Sequence, residues 1–457
     1  MTDAKPSFDK EDIHKALKDI SSSLEEGDLQ RALTILLDLH PADRADTFTD
    51  LSNKNRQQLL GSLDIPATAD LLEELEDQEA SEIASTLTNE RLADVLDEME
   101  PDEAADILGD LPPARVMRTL EEMEEAEDVL PLLPYGDETA GGLMTTSFIS
   151  LSPQQTAAEA IDYLREIGPD EETPYYLYVT SSDRHLIGIV SLRSLVVSRP
   201  DTTVESLMDT NIYYATTLTD QEDAARLMVR YDLAALPVID ESGALSGVIT
   251  YDDLMDVLED EATEDIYRLA NVSDADLTIE SPISLSIRRR LPWLYLNALT
   301  AFLASWVISQ FEGIIAQVAL LAAFQSVVAG LGGNTATQSL AIIVRAIALD
   351  EVDRDHTIRT VLKEGATGLL QGLAVGMAAG LGVFLWQGNI YMGLILMLAL
   401  IGNMLLAGLA GAFIPLGLKA LDLDPALASS VLVTAITDIV GFALFLGLAA
   451  SFLPHLV

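Results

Sequence analysis

From Leu291 to the C-terminus the chain is a succession of apolar stretches, most of them twenty residues or longer, joined by short polar segments. Stretches of that length are what a helix needs to cross a bilayer. Up to about Ser286 the sequence is instead charged and periodic, so a soluble half precedes a membrane half. A chain of 457 residues is also too long for one hydrophobic core, which makes several domains the expectation.

Five spans are expected, roughly at 292–311, 314–345, 365–388, 391–418 and 426–452. Arg288, Arg289 and Arg290 precede the first, Arg345 to Lys363 lie between the second and third, and Lys419 follows the fourth. These basic residues fall on one side of the membrane when the soluble half is cytosolic. An odd number of spans then leaves the C-terminus outside. The polar N-terminus MTDAKPSFDKEDIHKAL has no apolar core for a signal peptide, in agreement with a cytosolic soluble half.

The net charge of −47 is concentrated in the soluble half: only nine of 73 acids and eight of 26 bases lie after Ser286, leaving 64 acids against 18 bases before it. Such a field repels nucleic acid and anionic lipid and attracts cations. Few lysines and abundant acids also describe proteins adapted to high salt. The bulk of the excess is read as solvent adaptation, with particular carboxylates acting as a sensor. Cysteine is absent, which excludes disulfides and thiolate metal sites. His14, His40, His185, His356 and His455 are scattered, and no nucleophile–base or catalytic metal constellation marks an enzyme.

Between about Leu33 and Pro134, units such as IPATADLLEEL, TNERLADVLDEM and EPDEAADILGDLP repeat at roughly a dozen residues. Each puts apolar residues at helical spacing and acids on the other face, which predicts short helices stacked in a small superhelix. A second repeat follows. Tyr178, Gly188 and Ser191 recur 59 positions later as Pro237, Gly247 and Thr250, in a β-α-β-β-α pattern whose two copies should pair face to face. This unit resembles a CBS (cystathionine-β-synthase-type) module. Tandem modules commonly bind adenine nucleotides or sense ions, and Thr250 with Asp253 fits the family's ribose-holding pattern, making an adenine nucleotide the cofactor candidate there. In the first copy Ser194 stands at the register of that Asp. An acidic segment beginning EDEATEDIYRLA then leads to the arginines of the first span and predicts a connecting helix able to carry a conformational change.

Within the spans one acid, Asp438, is expected to lie deep, where a carboxylate costs a few kcal/mol and marks a functional site by default. Ser430, Thr434 and Asp438 share a helical face and read as a pore lining. Asn334 and Gln338 share a face in GLGGNTATQSLA, where Thr335 and Thr337 add hydroxyls and Gly330, Gly332 and Gly333 allow close approach. Asn403 reads as equally suited to helix packing. Oxygen ligands alone argue against a soft-metal pore and do not choose between Mg2+ and Ca2+. Mg2+ dehydrates reluctantly, so one carboxylate with amides and hydroxyls suits a hydrated ion. On a dimer axis, two copies of Asp438 would match a divalent charge.

The order of acidic superhelix, paired modules, EATED helix, five spans, GGNTATQS and TDIVG resembles the MgtE family of Mg2+ channels and transporters over essentially the whole chain. PYGDETAGGLMTT, RRLPWL and LDPALAS are similar to family sequence as well. The fold class implied is multidomain and mainly α: an acidic helical domain (1–135), tandem α/β CBS modules (136–200 and 201–260), a connecting or plug helix (261–286) and a five-helix transmembrane domain (287–457).

The resemblance implies a homodimer in the cell membrane that conducts Mg2+ and closes when cytosolic Mg2+ bridges its carboxylates. It places those carboxylates at Asp70, Asp102 and Asp106 in the first domain and at Asp220, Glu222, Asp253 and Asp256 in the second module. Glu261, Glu264 and Asp265 are their counterparts in the connector. Crowded carboxylates repel, and a divalent ion shared between domains relieves that repulsion and favours a compact closed state. Asp438 resembles the family's pore aspartate, and Asn334 with Gln338 its GN…Q stretch. Ser430, Thr434 and Ser326 depart from the family's Asn, Ala and Pro, which bears on selectivity. The competing readings are an H+- or Na+-coupled divalent-cation transporter, which the expected lack of a second buried acid disfavours, and a non-conducting membrane sensor.

Overall fold

A computed structural model describes residues 10–75, 77–167, 176–272, 277, 281–349, 351–352, 357–421, 423–426 and 429–456. It divides into two compact units, 1–258 and 259–457.

The first unit opens with ten helices: α1 (Lys10–Glu25), α2 (Leu29–Leu37), α3 (Pro41–Thr49), α4 (Asn53–Leu60), α5 (Ile65–Glu73), α6 (Asp77–Thr86), α7 (Asn89–Leu96), α8 (Pro101–Gly109), α9 (Pro113–Glu122) and α10 (Ala126–Val129). Their short length follows from punctuation in the sequence. Asp28, Ser52, Asp64 and Thr88 accept N-cap hydrogen bonds, and Pro41, Pro101 and Pro113 open α3, α8 and α9. Helix ends are tied by arginines. Arg91 donates to the carbonyls of Leu60 and Leu63, and Arg115 repeats the device on Ala84, Ser85 and Leu87. Orphan C-terminal carbonyls are thereby satisfied from 28 to 31 residues further along the chain, more than two repeats away, which fixes the stacking of the superhelix.

Each of the two modules that follow is a three-stranded sheet. The first contains β1 (Ser150–Leu151), α11 (Ala157–Ile167), β2 (Tyr176–Thr180), β3 (Leu186–Ser191) and α12 (Leu192–Val197); α13 (Val204–Leu207) leads to the second, with β4 (Ala215–Thr216), α14 (Gln221–Tyr231), β5 (Leu236–Ile239), β6 (Leu245–Ile249) and α15 (Tyr251–Leu269). The 59-residue repeat survives to the register: Val179 pairs with Gly188 and Val238 with Gly247, with a bulge after Val179 and after Val238. His185 and Ala244, equivalent positions in the two copies, pair with each other. The local symmetry axis therefore passes between them, and the copies meet face to face. A Cβ on Gly188 would meet Met208, and one on Gly247 would meet Met144, so each module receives a methionine from the segment leading into the other.

In the second unit, α16 (Ile283–Ser309), a short α17 (Glu312–Gln317), α18 (Leu320–Ala348), α19 (Thr357–Gln387), α20 (Ile390–Lys419) and α21 (Ser429–Ser451) follow. Five of them are long and apolar enough to cross a membrane. Two expectations change. The second span does not begin at 314: backbone at Val318 leaves the helical region (φ −130°, ψ 76°), separating α17 from α18. The expected connector over 261–286 is not a separate helix either, because α15 runs without a break from Tyr251 to Leu269 as the last helix of the second module. Residues 273–276 and 278–280 of that segment lie outside the described residues.

Candidate functional site

Two constellations of predicted residues are assembled, one in each unit. In the first, Asp102 lies in the opening turn of α8, only 7 % exposed, and its Oδ1 atom is buried without a hydrogen-bond partner. Burial pushes its carboxyl well above the usual range, and the charges of Asp253, Glu100 and Asp106 push it further. Asp253, in the first turn of α15, is raised to about 6 by burial, although it accepts the Thr250 N–H at 2.7 Å and the Thr250 hydroxyl at 2.9 Å. Asp252 and Asp256 add to its electrostatic load. Four predicted sensor residues, Asp102, Asp106, Asp253 and Asp256, thus interact through their charges.

The other predicted carboxylates of this unit have local tasks. Asp70 pairs with Arg44 at 3.2 Å. Asp220 caps α14 through the Glu222 N–H, and Glu222 pairs with Arg226. Glu73, absent from the sequence-based set, accepts the Glu100 N–H at 3.0 Å and is raised by burial and by Asp70 and Glu74. Its position beside the predicted Asp70 was the only sequence signal for it. No three His, Asp or Glu side chains lie at metal-ligand spacing among the described residues. A divalent ion here would keep much of its water shell, as Mg2+ does.

Thr250 meets the Thr–Asp pattern of a ribose site only in part, because its hydroxyl already bonds Asp252 and Asp253. At the end of α15, Arg268 pairs with both Glu264 and Asp424, the latter in the segment between α20 and α21. Asn271 accepts a 2.7 Å hydrogen bond from Ser430 at the start of α21, and Leu269 packs beside Leu340, Val344 and Ala426. Glu261 and Asp265 lie on the same helix and are half-buried.

In the membrane unit, Asn403 on α20 is fully buried and donates to the Val328 carbonyl at 3.0 Å. A Cβ on Gly332 of α18 or on Gly441 of α21 would collide with its amide. Asn403 therefore packs helices, and it does so at the level where α18 and α21 approach. Those two helices are antiparallel: Leu321, Phe324 and Val328 pack with Phe445, Leu446 and Ala449, while Ala336 packs with Val433. Asn334 lies between Gly332 and Ala336 and Asp438 between Val433 and Gly441, which puts amide and carboxylate at one height. Asn334, Thr337 and Gln338 are exposed on α18, and Asp438 is half-buried. Of the remaining predicted lining, the Ser430 hydroxyl donates a hydrogen bond to the Asn271 side-chain oxygen and Thr434 donates to the Ser430 carbonyl at 2.8 Å.

One expectation fails here. Asp438 is not alone: Glu364 on α19 is 8 % exposed and accepts the Ser339 hydroxyl of α18 at 2.8 Å. Sequence placed the third span from 365, leaving Glu364 at its edge, whereas α19 begins at Thr357 and the side chain is enclosed by α18 and α20.

A family model described as a divalent cation transporter matches residues 325–448, a model of the MgtE intracellular N domain matches 39–138, and CBS domain models match 140–200 and 204–260. The magnesium transporter MgtE of Thermus thermophilus is 39 % identical over 324 residues, 70 % of this chain and 72 % of that protein. Its counterpart in Enterococcus faecalis is 35 % identical over 333 residues, 73 % of each. Among solved structures, the cytosolic domain of the Mg2+ channel MgtE in complex with ATP matches with a TM-score of 0.50 and 35 % identity, covering 53 % of this chain and 99 % of that one.

Proposed function

The chain belongs to the MgtE family of divalent cation transporters, and on that premise we propose that it is a Mg2+ channel of the cell membrane, closed by cytosolic Mg2+ at its soluble carboxylates. The observation that carries the ion path is the common height of Asp438 and Asn334 on adjacent antiparallel helices. A single carboxylate with amides and hydroxyls offers outer-shell hydrogen bonds to a hydrated ion, and hydrated passage suits a cation that gives up water reluctantly. The polar face of α18 is exposed in one chain, so it meets either lipid or a second copy. Burying amides against lipid is costly, which supports a homodimer with that face inside. The basic residues flanking the spans support a cytosolic soluble half and an outside C-terminus.

The sensor reading rests on Asp102 and Asp253. A buried carboxylate with an unpartnered oxygen, beside another carboxylate held at about 6, binds either a proton or a cation. Mg2+ supplies the cation and links α8 to α15, and Glu261, Glu264 and Asp265 continue the acidic face of α15 toward Arg268. Asp106 and Asp256 add to the charge around Asp102 and Asp253; Asp70, Asp220 and Glu222 are further candidates of this reading, each held by a local partner. An adenine nucleotide at Thr250 and Asp253 is a secondary ligand of this reading, supported by the ATP bound to the similar cytosolic domain.

Uptake of Mg2+ into proteoliposomes by wild type, Asp438→Ala and Asp438→Asn tests the path. Loss of uptake in both variants is expected; equal uptake in all three removes Asp438 from the mechanism. Glu364 gives a second reading a foothold, because a second buried carboxylate suits proton coupling. Uptake that follows an imposed pH gradient at constant voltage would select that reading over the channel.

A further inference from the structure

The exposed polar face of α18 sits in the part of that helix least able to hold its own shape. Gly330, Gly332 and Gly333 precede Asn334 within one turn, and glycine lowers the resistance of a helix to twisting and bending. Something outside α18 must set the direction in which Asn334 and Gln338 point. Two buried hydrogen bonds bracket that segment. On its N-terminal side Asn403 of α20 donates to the Val328 carbonyl. On its C-terminal side Ser339 donates to Glu364 of α19.

The second tie is built, not incidental. A Cβ on Gly411 of α20 would meet the Ala336 carbonyl at 2.6 Å and the Ser339 Cβ at 2.9 Å, and one on Gly408 would meet the Glu364 carbonyl at 2.4 Å. These two glycines bring α18 and α19 against the same short stretch of α20, and Ser339 and Glu364 meet there. The platform is closely packed, since Gly368, Gly372, Gly376 and Gly380 of α19 lie against the backbone of α20. Ser339 follows Gln338 directly, about 100° further round the helix. Its buried direction therefore determines the exposed direction of Gln338.

We infer that Glu364 is a positioning residue for ion recognition: with Asn403 bracketing the same segment at Val328, it clamps α18 at Ser339 and so aims Asn334 and Gln338 at the ion path. Neither touches the ion. The inference rests on the reading of that face as pore-lining.

The chain has no cysteine, so single thiols report the rotation of α18 in the full-length protein in proteoliposomes. With a membrane-impermeant thiol reagent, Gln338→Cys should react much faster than Thr335→Cys, whose parent side chain is buried. Glu364→Ala or Ser339→Ala should narrow that ratio about tenfold, the scale of one lost hydrogen bond. Glu364→Gln should keep it within about twofold, because the amide oxygen still accepts the Ser339 hydroxyl. In Mg2+ uptake by chains without introduced cysteines, the two alanine variants should raise half-saturation more than they lower the maximal rate. The double variant should be no worse than either single one.

A reactive Gln338→Cys whose ratio Glu364→Ala and Ser339→Ala leave unmoved overturns this inference alone, as do additive effects in the double variant. An unreactive Gln338→Cys in the parent overturns the pore-facing reading and this inference with it. If Glu364→Ala does not fold, Ser339→Ala removes the same bond with a smaller change and decides the matter.

Discussion

Asp253 on α15 raises the proton affinity of Asp102 on α8, a carboxylate buried with one oxygen unpartnered. The two come from separate domains of the sequence, and the charge of Asp253 adds to the burial that raises Asp102. A cation that reached both would offset that charge, so under the proposed sensor reading proton and Mg2+ compete for one place.

A pH dependence of stability follows. Asp253 titrates near 6 in the folded chain against 3.8 for the free side chain, so between about pH 4 and 6 the folded state holds a proton that the unfolded state has lost. Stability without Mg2+ therefore falls as pH rises through that window, by up to about 1.4 kcal/mol per pH unit. Asp102 shifts in the same direction. The first thermal transition of the full-length protein in chelator should be lower at pH 7 than at pH 5, and Mg2+ should restore it. Asp102→Asn with Asp253→Asn should remove both effects; an unchanged pH slope in that double variant would discard the assignment.

Gating should respond to the whole carboxylate set more than to its members. Replacing Asp102, Asp253, Glu261, Glu264 and Asp265 together by amides should leave Mg2+ uptake active at millimolar internal Mg2+. Normal closure of the combined variant would show that the sensor lies elsewhere.

Arg268 holds Glu264 on its own helix and Asp424 beside the start of α21, all three at most about a third exposed. A double-mutant cycle on Arg268→Ala and Asp424→Ala, read as the free Mg2+ that half-closes the pore, should give a coupling of about 1 kcal/mol. Additivity of the two changes would mean that this pair does not transmit the signal.

The α19–α20 platform is predicted to be intolerant of side chains along its glycines. A Cβ on Gly368 would lie 2.2 Å from the Met404 carbonyl, a backbone atom that cannot swing aside. Gly368→Leu should cost about 3 kcal/mol or more and show as loss of the monodisperse peak in detergent. Gly382→Leu, with open space around its Cβ, is the control and should behave as wild type.

Much of this was legible in the chain. The apolar stretches announced five spans, and the repeat of Gly188 at Gly247 announced two modules facing each other, because one signal is local composition and the other a pattern that recurs along the chain. Asn334, Gln338 and Asp438 stood out since polar groups in apolar segments are costly enough to need a reason. Glu364 did not stand out. An acid near a span edge reads as interfacial, and only the convergence of Gly408, Gly411 and Ser339 encloses it.

The sequence by itself determined that five segments are apolar enough to cross a membrane, which segments repeat, and most of the polar side chains that had to be explained. Tertiary structure alone decided which of them meet: Asp102 with Asp253, Arg268 with Asp424, Glu364 with Ser339. Periodicity is a property of neighbouring residues along a chain, whereas a buried carboxylate acquires its partner and its proton affinity from helices distant in sequence, whose approach is set by packing.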